Sequence, residues 1–376
     1  MAGRYFSRLF GCSANGMGSN DNPITSIEGD QCKKRRHYQR EKKLAQHLYG
    51  QYSMALVQAN SENEDRCQLV SGPLSNVPGG PTGVFVGIYD GHAGDICSQF
   101  VLDNLFNDLK TAITDQHINE VNPFTIQQAY LSTEEKFLVH ARANWGQNGK
   151  LASTGSCCLS GVVHGHTLYV ANAGDSRAVL ARWGVGDENA EAVQLSIDCN
   201  ANDAQQRDEL RAEHQDDPNL LKLRNGRWLV RDRIEVTRAI GDVYLKFSEF
   251  NRFPLQARFR LQHSILRPIL KAEPIVEAYQ LDEHDKFVIF ASNGLWGEVT
   301  NEQAVTVVRA SPRSGAARAL LREALVRASH RHNMQYQQLI NLPLDNKRSF
   351  HDDISIVILF FDTLPEPVNI PVVELL

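Results

Sequence analysis

Acidic residues recur along the chain where predicted strands end, and they are the side chains best suited to chemistry. They form four short groups: Glu64-Asp65, Asp90-Gly91, Asp175 and His351-Asp352-Asp353. A carboxylate at the end of a strand is held by a rigid element and faces a cleft, as a metal ligand must. One acidic pair alone is more often a turn or a cap, so the prediction of a metal site depends on the whole set.

Oxygen ligands of this kind suit hard divalent cations such as Mg²⁺ and Mn²⁺. Two such cations about 3.5–4 Å apart can share a bridging hydroxide and stabilise both ends of an in-line phosphoryl displacement. The acidic set could serve such a two-metal site, and the order of its members and their flanking residues make it informative.

The elements that must position these residues are apolar strands and amphipathic helices. Strands are predicted at 54–57, 84–89, 286–291 and 354–361, with a three-stranded antiparallel meander in 157–182. Helices are predicted at 94–110, 124–143, 201–214, 301–309 and 315–331. Because helices occur in pairs between groups of strands, without strict βαβ alternation, the pattern favours an α+β fold in which helices flank antiparallel sheets.

The length of 376 residues and the composition indicate a globular protein. Its 42% hydrophobic and 22% charged residues exclude global disorder and collagen-like repeats. Seven cysteines without a CxxC pair argue against a disulfide framework or zinc ribbon and for a reducing compartment. No apolar run approaches the ~18 residues of a transmembrane segment. The first residues lack the apolar core of a secretion signal, and Ala2 stands where myristoylation needs Gly.

Charge is distributed unevenly along the chain. Residues 1–50 carry nine Lys/Arg and four Asp/Glu, whereas the remainder carries 30 basic and 40 acidic residues. We expect a basic, mobile arm at 1–50, a folded domain at 51–362 and a short tail at 363–376. The acidic body argues against nucleic acid as a partner. The run Lys33-Lys34-Arg35-Arg36 fits a nuclear signal, a membrane-surface patch or a solvated arm, so we expect a cytoplasmic or nuclear protein, with peripheral membrane contact as an alternative.

Seven strings of residues follow one another in an order that is typical of one enzyme family. They are Gln58-Ala59-Asn60 with Glu64-Asp65, Tyr89-Asp90-Gly91-His92-Ala93-Gly94, Gly155-Ser156-Cys157-Cys158, Val170-Ala171-Asn172-Ala173-Gly174-Asp175-Ser176-Arg177-Ala178-Val179, Arg238-Ala239-Ile240-Gly241-Asp242-Val243-Tyr244-Leu245-Lys246, Phe290-Ala291-Ser292-Asn293-Gly294-Leu295-Trp296 and His351-Asp352-Asp353-Ile354-Ser355. The chain resembles the metal-dependent protein serine/threonine phosphatases of type 2C, and most closely the plant branch called clade D. The resemblance implies that 51–362 is a phosphatase domain with an α-β-β-α sandwich of two antiparallel sheets flanked by helices, and with the metals in a cleft between the sheet edges.

The resemblance also implies a role for each acidic group. Asp90 matches the carboxylate that bridges both metals, and Gly91 matches the residue that supplies a backbone carbonyl. Glu64 and Asp352 match the other acidic ligands, and Asp65 matches a carboxylate that supports them. The implied cofactors are two Mg²⁺ or Mn²⁺ ions.

For catalysis, the resemblance implies attack on phosphorus by a hydroxide that bridges the metals. His92 matches the general acid that protonates the departing Ser/Thr oxygen. Asp175 matches the acidic residue near a third, weaker metal ion. Arg238 and Asp242 are expected to fix the segment beside the site, so the predicted catalytic residues are His92 and Asp90.

Two positions depart from the family pattern. Asn60 stands four residues before Glu64, where most of the family has an Arg that holds the substrate phosphate; the plant branch also lacks this Arg. Asn293 stands where the family has an Asp that binds the second metal, and an amide contributes a carbonyl oxygen but no charge. Because the affinity for Mg²⁺ or Mn²⁺ depends on ligand charge, we expect weaker metal binding and reduced activity.

Two functions are consistent with these residues. The first is a metal-dependent serine/threonine phosphoprotein phosphatase, favoured by the joint presence of Glu64, Asp90, His92 and Asp352. The second is a pseudophosphatase that binds phosphoproteins or regulators without turnover, favoured by Asn293. The implied partners are phosphoprotein substrates and, by resemblance to the plant branch, small auxin-induced inhibitory proteins.

Overall fold

A computed structural model describes residues 39–115, 120–184, 186, 189–362 and 373–375. The run Lys33-Lys34-Arg35-Arg36 and most of the expected arm lie outside these residues. The strands are β1 (Gln39–His47), β2 (Gly50–Val57), β3 (Asp65–Pro73), β4 (Thr82–His92), β5 (Gly155–His164), β6 (Thr167–Ala173), β7 (Arg177–Arg182), β8 (Glu191–Gln194), β9 (Leu221–Arg224), β10 (Arg227–Val230), β11 (Ile240–Gly241), β12 (Ile275–Gln280), β13 (Asp285–Ala291), β14 (Ile354–Phe361) and β15 (Val373–Leu375). The helices are α1 (Ile96–Asp115), α2 (Pro123–Asn144), α3 (Ala204–Glu213), α4 (Asn293–Trp296), α5 (Asn301–Arg309), α6 (Ala316–Arg331), α7 (Tyr336–Ile340) and α8 (Leu344–Lys347).

Two antiparallel sheets form the centre of the fold. The first sheet has the strand order β1-β2-β14-β13-β7-β8, and the second has the order β12-β6-β5-β4-β3-β15, with β11 paired to β5. The inner faces of the sheets pack together through side chains such as Tyr52 and Val357 of the first and Val86 and Leu159 of the second. Helices α1 and α2 cover the second sheet, and α5 and α6 cover the first. The predicted α-β-β-α sandwich is therefore confirmed.

Strand β14 is apolar at every position except Ser355 because both of its faces are buried. Ile356 and Ile358 belong to the core beneath α5 and α6. Val357 and Leu359 lie in the core between the two sheets. Since successive side chains of a strand point to opposite faces, burial on both faces removes the polar alternation of a half-exposed strand. Each such side chain contributes on the order of 1.5–3 kcal/mol through burial.

The predicted meander in 157–182 is only partly correct. Strands β5 and β6 pair as expected, but β7 pairs with β13 and β8 in the other sheet. The chain therefore crosses from one sheet to the other at residues 174–176, where Gly174 has a φ of 141°. A tight turn signal indicates a change of direction but not which strand will be the next partner. This crossing places Asp175 between the two sheets.

The expected boundary at residue 50 also differs from the structure. Residues 39–47, assigned to the arm from their polarity, form β1 and pair with β2 at the edge of the first sheet. An edge strand can be polar because one of its sides faces solvent, so polarity alone does not exclude a strand. Within the expected tail, Val373–Leu375 pairs with β3. Among the helices in the described ranges, none combines the length and apolar character needed to cross a bilayer.

Candidate active site

A cleft of about 1360 Å³ opens beside the edges of the two sheets. The cleft is lined by all the residues predicted to bind metals or transfer a proton, and by Asn293, which departs from the family pattern. These residues are Glu64, Asp90, Gly91, His92, Asp175, Asn293 and Asp352. The structure thus brings together side chains from segments nearly 300 residues apart. Asn60, which occupies the position of the family's phosphate-binding Arg, is not among the described residues that line this cleft.

The two central carboxylates are held by strand register. Asp65 of β3 pairs directly with Asp90 of β4, and Asp90 pairs in turn with Cys157 of β5. The Asp65 side chain is buried and accepts a hydrogen bond of 2.8 Å from the Ser292 hydroxyl. Asp65 does not line the cleft, a position that agrees with a supporting role beside Asp90, which does.

Gly91 allows the loop that carries Glu64 to approach β4. The Gly91 amide donates to the Glu64 carbonyl oxygen at 3.2 Å. A Cβ atom at Gly91 would lie 2.5 Å from that oxygen and 2.8 Å from the Ser98 hydroxyl. Any side chain here would therefore push the Glu64 loop away from Asp90.

Asp353 is a second anchor for the Glu64 loop, and the sequence analysis did not assign it a role. Its carboxylate accepts hydrogen bonds from the backbone amides of Ala59 at 2.6 Å, Asn60 at 3.0 Å and Glu64 at 2.7 Å. Charge-assisted bonds of this kind are among the stronger hydrogen bonds in proteins. They tie the loop that carries Glu64 to the start of β14, next to Asp352. The paired acids at 352–353 were the only sequence signal for this residue.

The cleft gathers carboxylates that are only partly paired: Arg348 pairs with Asp352 at 2.6 Å, but among the described residues no Lys or Arg pairs with Glu64 or Asp90. Burial, together with the nearby carboxylate of Asp353, raises the pKa of Glu64 to about 7. Burial also raises the pKa of Asp90 well above its usual value, with repulsion from Asp65 and Asp352 adding to the effect. Carboxylates gathered in this way favour the binding of either protons or cations.

These donors fit divalent cations by their chemistry. The candidates are the carboxylate oxygens of Glu64, Asp90 and Asp352 and the carbonyl oxygen of Gly91, all of them hard ligands suited to Mg²⁺ or Mn²⁺. Among the residues that the structure describes, no three His, Cys, Asp or Glu side chains surround one point at ligating distance. Mg²⁺ commonly retains several waters and is held by one or two carboxylates, so the donor set can hold such an ion without a closed protein cage.

His92 lies at the end of β4 and forms a short contact with Asp242, whose Oδ2 atom is 2.6 Å from Nε2 of the imidazole. Burial alone would lower the pKa of His92, but the neighbouring Asp242 carboxylate outweighs burial and raises the pKa above its usual value. The protonated imidazole is therefore favoured, as a general acid requires. Asp242 was predicted to fix the segment beside the site, and the structure adds that its carboxylate contacts His92 directly.

The backbone around Asp242 is fixed by a buried ion pair. Asp242 has a left-handed backbone, with φ of 48°, and its amide donates to the Thr154 carbonyl at 2.8 Å. The preceding Gly241 amide donates to the Glu134 carboxylate at 2.8 Å, and Lys246 Nζ lies 2.7 Å from the other oxygen of that carboxylate. Helix α2 thus holds the loop that presents Asp242 to His92.

Asp175 lies at the crossing between the sheets. One of its oxygens accepts from the Cys157 thiol at 3.3 Å, and the other accepts from the Asn200 side-chain amide at 2.8 Å. Both of these partners are neutral, so neither forms an ion pair with Asp175 at the wall of the cleft. This arrangement is compatible with the predicted weak third metal.

Asn293 is the first residue of α4 and lies next to Asp90. Its backbone amide is 3.4 Å from Asp90 Oδ2. At the next position, a Cβ atom on Gly294 would collide with the Asp353 carbonyl oxygen. Helix α4 is therefore seated directly against the segment that carries Asp352, and the uncharged Asn293 stands in the position where the sequence analysis located a metal ligand.

Comparison with known proteins places this chain in a family. A family model described as "Protein phosphatase 2C" matches residues 52–333. The chain is 44% identical over 322 residues to "Probable protein phosphatase 2C 46" from Arabidopsis thaliana, an alignment that spans 86% of this chain and 84% of the relative. It is 43% identical over 322 residues to "Probable protein phosphatase 2C 72" from Oryza sativa subsp. japonica, spanning 86% and 81%.

Solved structures support the same fold. A serine-threonine phosphatase 2C from Toxoplasma gondii superimposes with a TM-score of 0.62 at 16% identity, covering 87% of this chain and 99% of that chain. A C. elegans sex determining protein superimposes with a TM-score of 0.58 at 17% identity, covering 84% and 65%. With the family match extending over most of the sandwich, the chain belongs to the protein phosphatase 2C family.

Proposed function

We propose that this chain hydrolyses phosphoserine and phosphothreonine in proteins, with two Mg²⁺ or Mn²⁺ ions bound in the cleft. Membership of the protein phosphatase 2C family supports a protein phosphatase. The observation that carries the finer proposal is the convergence of Glu64, Asp90 and Asp352 with His92 in one cleft. Arg348 pairs with Asp352, but no Lys or Arg among the described residues pairs with Glu64 or Asp90, and a protein that only bound phosphoproteins would have no need to gather such carboxylates beside His92.

The candidate ligands for the cations are Glu64, Asp90, Asp352 and the carbonyl of Gly91. When bound, divalent cations neutralise the charge of a phosphate ester and lower the pKa of a coordinated water. Asp65 and Asp353 hold the ligand-bearing segments in place, through Ser292 and through the amides of the Glu64 loop. The cluster is thereby pre-arranged before a substrate arrives.

His92 supplies the proton for the leaving alkoxide. Because Nε2 faces the Asp242 carboxylate, the proton for the substrate is the one carried on Nδ1. The neighbouring carboxylate favours the protonated form of the imidazole and orients its ring. A serine or threonine alkoxide is a poor leaving group, so protonation at this atom contributes directly to the rate.

The test is hydrolysis of a phosphothreonine peptide by the full chain across a range of Mn²⁺ concentrations. Turnover is expected to vanish in a chelator and to return with Mn²⁺, and Asp90→Asn is expected to abolish it. Asp208→Asn, an equivalent change at an exposed residue of α3, is the matched control and should retain activity. Full turnover in chelator would contradict the proposal.

A second candidate function is a pseudophosphatase that binds phosphoproteins without turnover. The observation in its favour is Asn293, which lines the cleft beside Asp90 and removes one negative charge from the predicted ligand set. This candidate predicts saturable binding of the phosphopeptide with no phosphate release at any Mn²⁺ concentration. Measuring peptide binding and phosphate release on the same protein sample separates the two functions.

A further inference from the structure

A smaller pocket of about 290 Å³ adjoins the catalytic cleft. Its walls come from β9, from the segment 231–233 that follows β10, and from residues 261–263. Arg233 lines both this pocket and the catalytic cleft, so the two spaces share a wall. None of the residues assigned to metal binding or proton transfer lies in the smaller pocket, which we call the side pocket.

The side pocket is strongly basic, although the protein as a whole carries a net charge of −5. Four basic side chains line it: Lys222, Arg224, Arg231 and Arg233. Asp232 is the one acidic residue among its described lining residues, and it pairs with Arg224 at 2.9 Å and with Lys222 at 3.6 Å. Asp217, which lies outside the lining, pairs with Arg231, so two carboxylates face four cations and the pocket keeps a surplus of positive charge.

Arg233 carries much of this surplus. Its two terminal nitrogens donate to the backbone carbonyls of Asp232 at 3.1 Å and Arg260 at 3.0 Å. In the described part of the chain, no carboxylate forms an ion pair with Arg233. Neutral carbonyls orient a guanidinium group but leave its charge available to an anion. This oriented charge lies where the side pocket meets the catalytic cleft.

Arg231 is fixed more deeply. Its side chain is only 8% exposed and pairs with Asp217 at 2.6 Å. The Nε atoms of Arg231 and Arg233 are both buried without a hydrogen-bond partner among the described residues. A buried donor without an acceptor is unfavourable, so two such arginines side by side are hard to explain by stability alone. A negative charge in the side pocket would offset this penalty.

Pro218, Leu221 and Leu261 add apolar surface to the side pocket, beside the polar side chains of Asn219, Gln262 and His263. A basic site with some apolar surface suits an anionic side chain that has a methylene or methyl group before its charge. We propose that the side pocket binds a second anionic side chain of the substrate protein, a phosphate monoester or a carboxylate near the phosphorylated residue that reacts. This inference rests on the proposed function, and it assigns a substrate class: segments that carry two neighbouring anionic groups.

The test compares synthetic phosphothreonine peptides that contain a second phosphoserine two to six residues away on either side. A second series replaces that phosphoserine by Glu, and a third replaces it by Ala. For the full chain with Mn²⁺, we expect kcat/KM at the best spacing to rise roughly tenfold over the Ala peptide, mainly through KM, with Glu intermediate. The double variant K222Q/R224Q should reduce this preference to about twofold.

A matched control keeps the total charge of the protein equal to that of the variant. R211Q/K271Q also removes two partly exposed, ion-paired cations, but neither residue lines the side pocket. The control should keep the tenfold preference. If K222Q/R224Q and R211Q/K271Q change the preference equally, the effect comes from overall charge and the inference is overturned.

Peptide binding in chelator, measured by fluorescence anisotropy, separates this inference from the proposed function. Tighter binding of the doubly phosphorylated peptide that is lost only in K222Q/R224Q supports the side pocket even if no peptide is hydrolysed. Equal hydrolysis and equal binding of all peptides at every spacing would overturn the side pocket and leave the phosphatase intact. If K222Q/R224Q weakens binding to anionic lipid vesicles but leaves the binding and hydrolysis of all peptides unchanged, the inference is also overturned.

Discussion

His92 and Asp242 lie 150 residues apart in the chain, and their side chains meet at 2.6 Å beside the acidic cleft. The pairing depends on Gly155, which lies opposite His92 in the register of β4 and β5. A Cβ atom at Gly155 would collide with both the imidazole and the carboxylate. The side chains of His92 and Asp242 therefore meet in the space left free because Gly155 of β5 has no side chain.

We expect His92→Ala to reduce kcat on a phosphoserine peptide by roughly 10²–10⁴-fold, the usual contribution of a general acid. An aryl phosphate should lose much less activity, because its leaving group hardly needs a proton. Steady-state kinetics with both substrates give the measurement. Equal losses on the two substrates would indicate that His92 has a structural role instead.

Asp242→Asn should show the same dependence on the leaving group with a smaller loss, roughly 10–10²-fold on the peptide, because the imidazole would lose the charge that favours its protonated form. Asp203→Asn, at the N-cap of α3, provides a control for the loss of a structural carboxylate. The control should affect the two substrates equally. If Asp242→Asn also affects them equally, the carboxylate only supports the fold.

Asn293→Asp should lower the Mn²⁺ concentration needed for half-maximal activity and raise kcat. The added charge would lie next to Asp90 and strengthen a second cation site. Isothermal calorimetry of Mn²⁺ binding is the direct measurement, with mass spectrometry to show that Asn293 of the parent protein has not deamidated. Asn107→Asp, on the exposed side of α1, is the control. Unchanged metal affinity in Asn293→Asp would place Asn293 outside the metal site.

Two truncations test the proposed arm. Removing residues 1–38 should leave the thermal midpoint and peptide hydrolysis nearly unchanged, since β1 begins at Gln39. Removing residues 1–49 takes away β1 together with the buried Leu48 and Tyr49, which pack between the sheets. Loss of two such side chains is expected to destabilise the protein by about 3–5 kcal/mol. A folding defect in the shorter truncation would show that residues 1–38 support the fold.

His47 predicts a loss of stability in acid. Burial lowers the pKa of His47 to about 4 from the usual 6.5. Its Nδ1 atom accepts a hydrogen bond from the Tyr49 amide at 3.2 Å. Protonation of Nδ1 would therefore place an imidazole N–H against the Tyr49 N–H. Between pH 6.5 and 4 the unfolded chain takes up a proton that the folded chain does not. The free energy of unfolding should therefore fall as the pH falls through this window, by roughly 2 kcal/mol between pH 7 and pH 5 from this group.

Urea unfolding at several pH values measures this effect. His47→Gln should flatten the dependence between pH 6.5 and 4, whatever its effect on stability at pH 7. His330→Gln, at an exposed position of α6, is the control and should leave the slope as it is. An unchanged slope in His47→Gln would mean that His47 titrates alike in the folded and unfolded chains.

Local patterns determined the layered fold and the family of this protein. The apolar run of β14 was recognisable because both faces of a central strand are buried, and side-chain burial follows a period that can be read over a few residues. The short strings around Asp90 and Asp352 were recognisable because each is contiguous in the chain. Their assembly in one cleft follows from where the strands that carry them lie in the two sheets.

Tertiary structure alone decided which distant groups meet. The contact of Asp242 with His92 and the hold of Asp353 on the Glu64 loop join segments 150 and 289 residues apart, and no local period encodes such distances. The crossing of the chain from the second sheet to the first before β7 also depends on which strand edge is free to pair. The sequence of the turn does not encode that partner. The side pocket has the same origin, because its cationic surplus comes from β9 and from the residues after β10, which become neighbours only when the hairpin folds over the cleft.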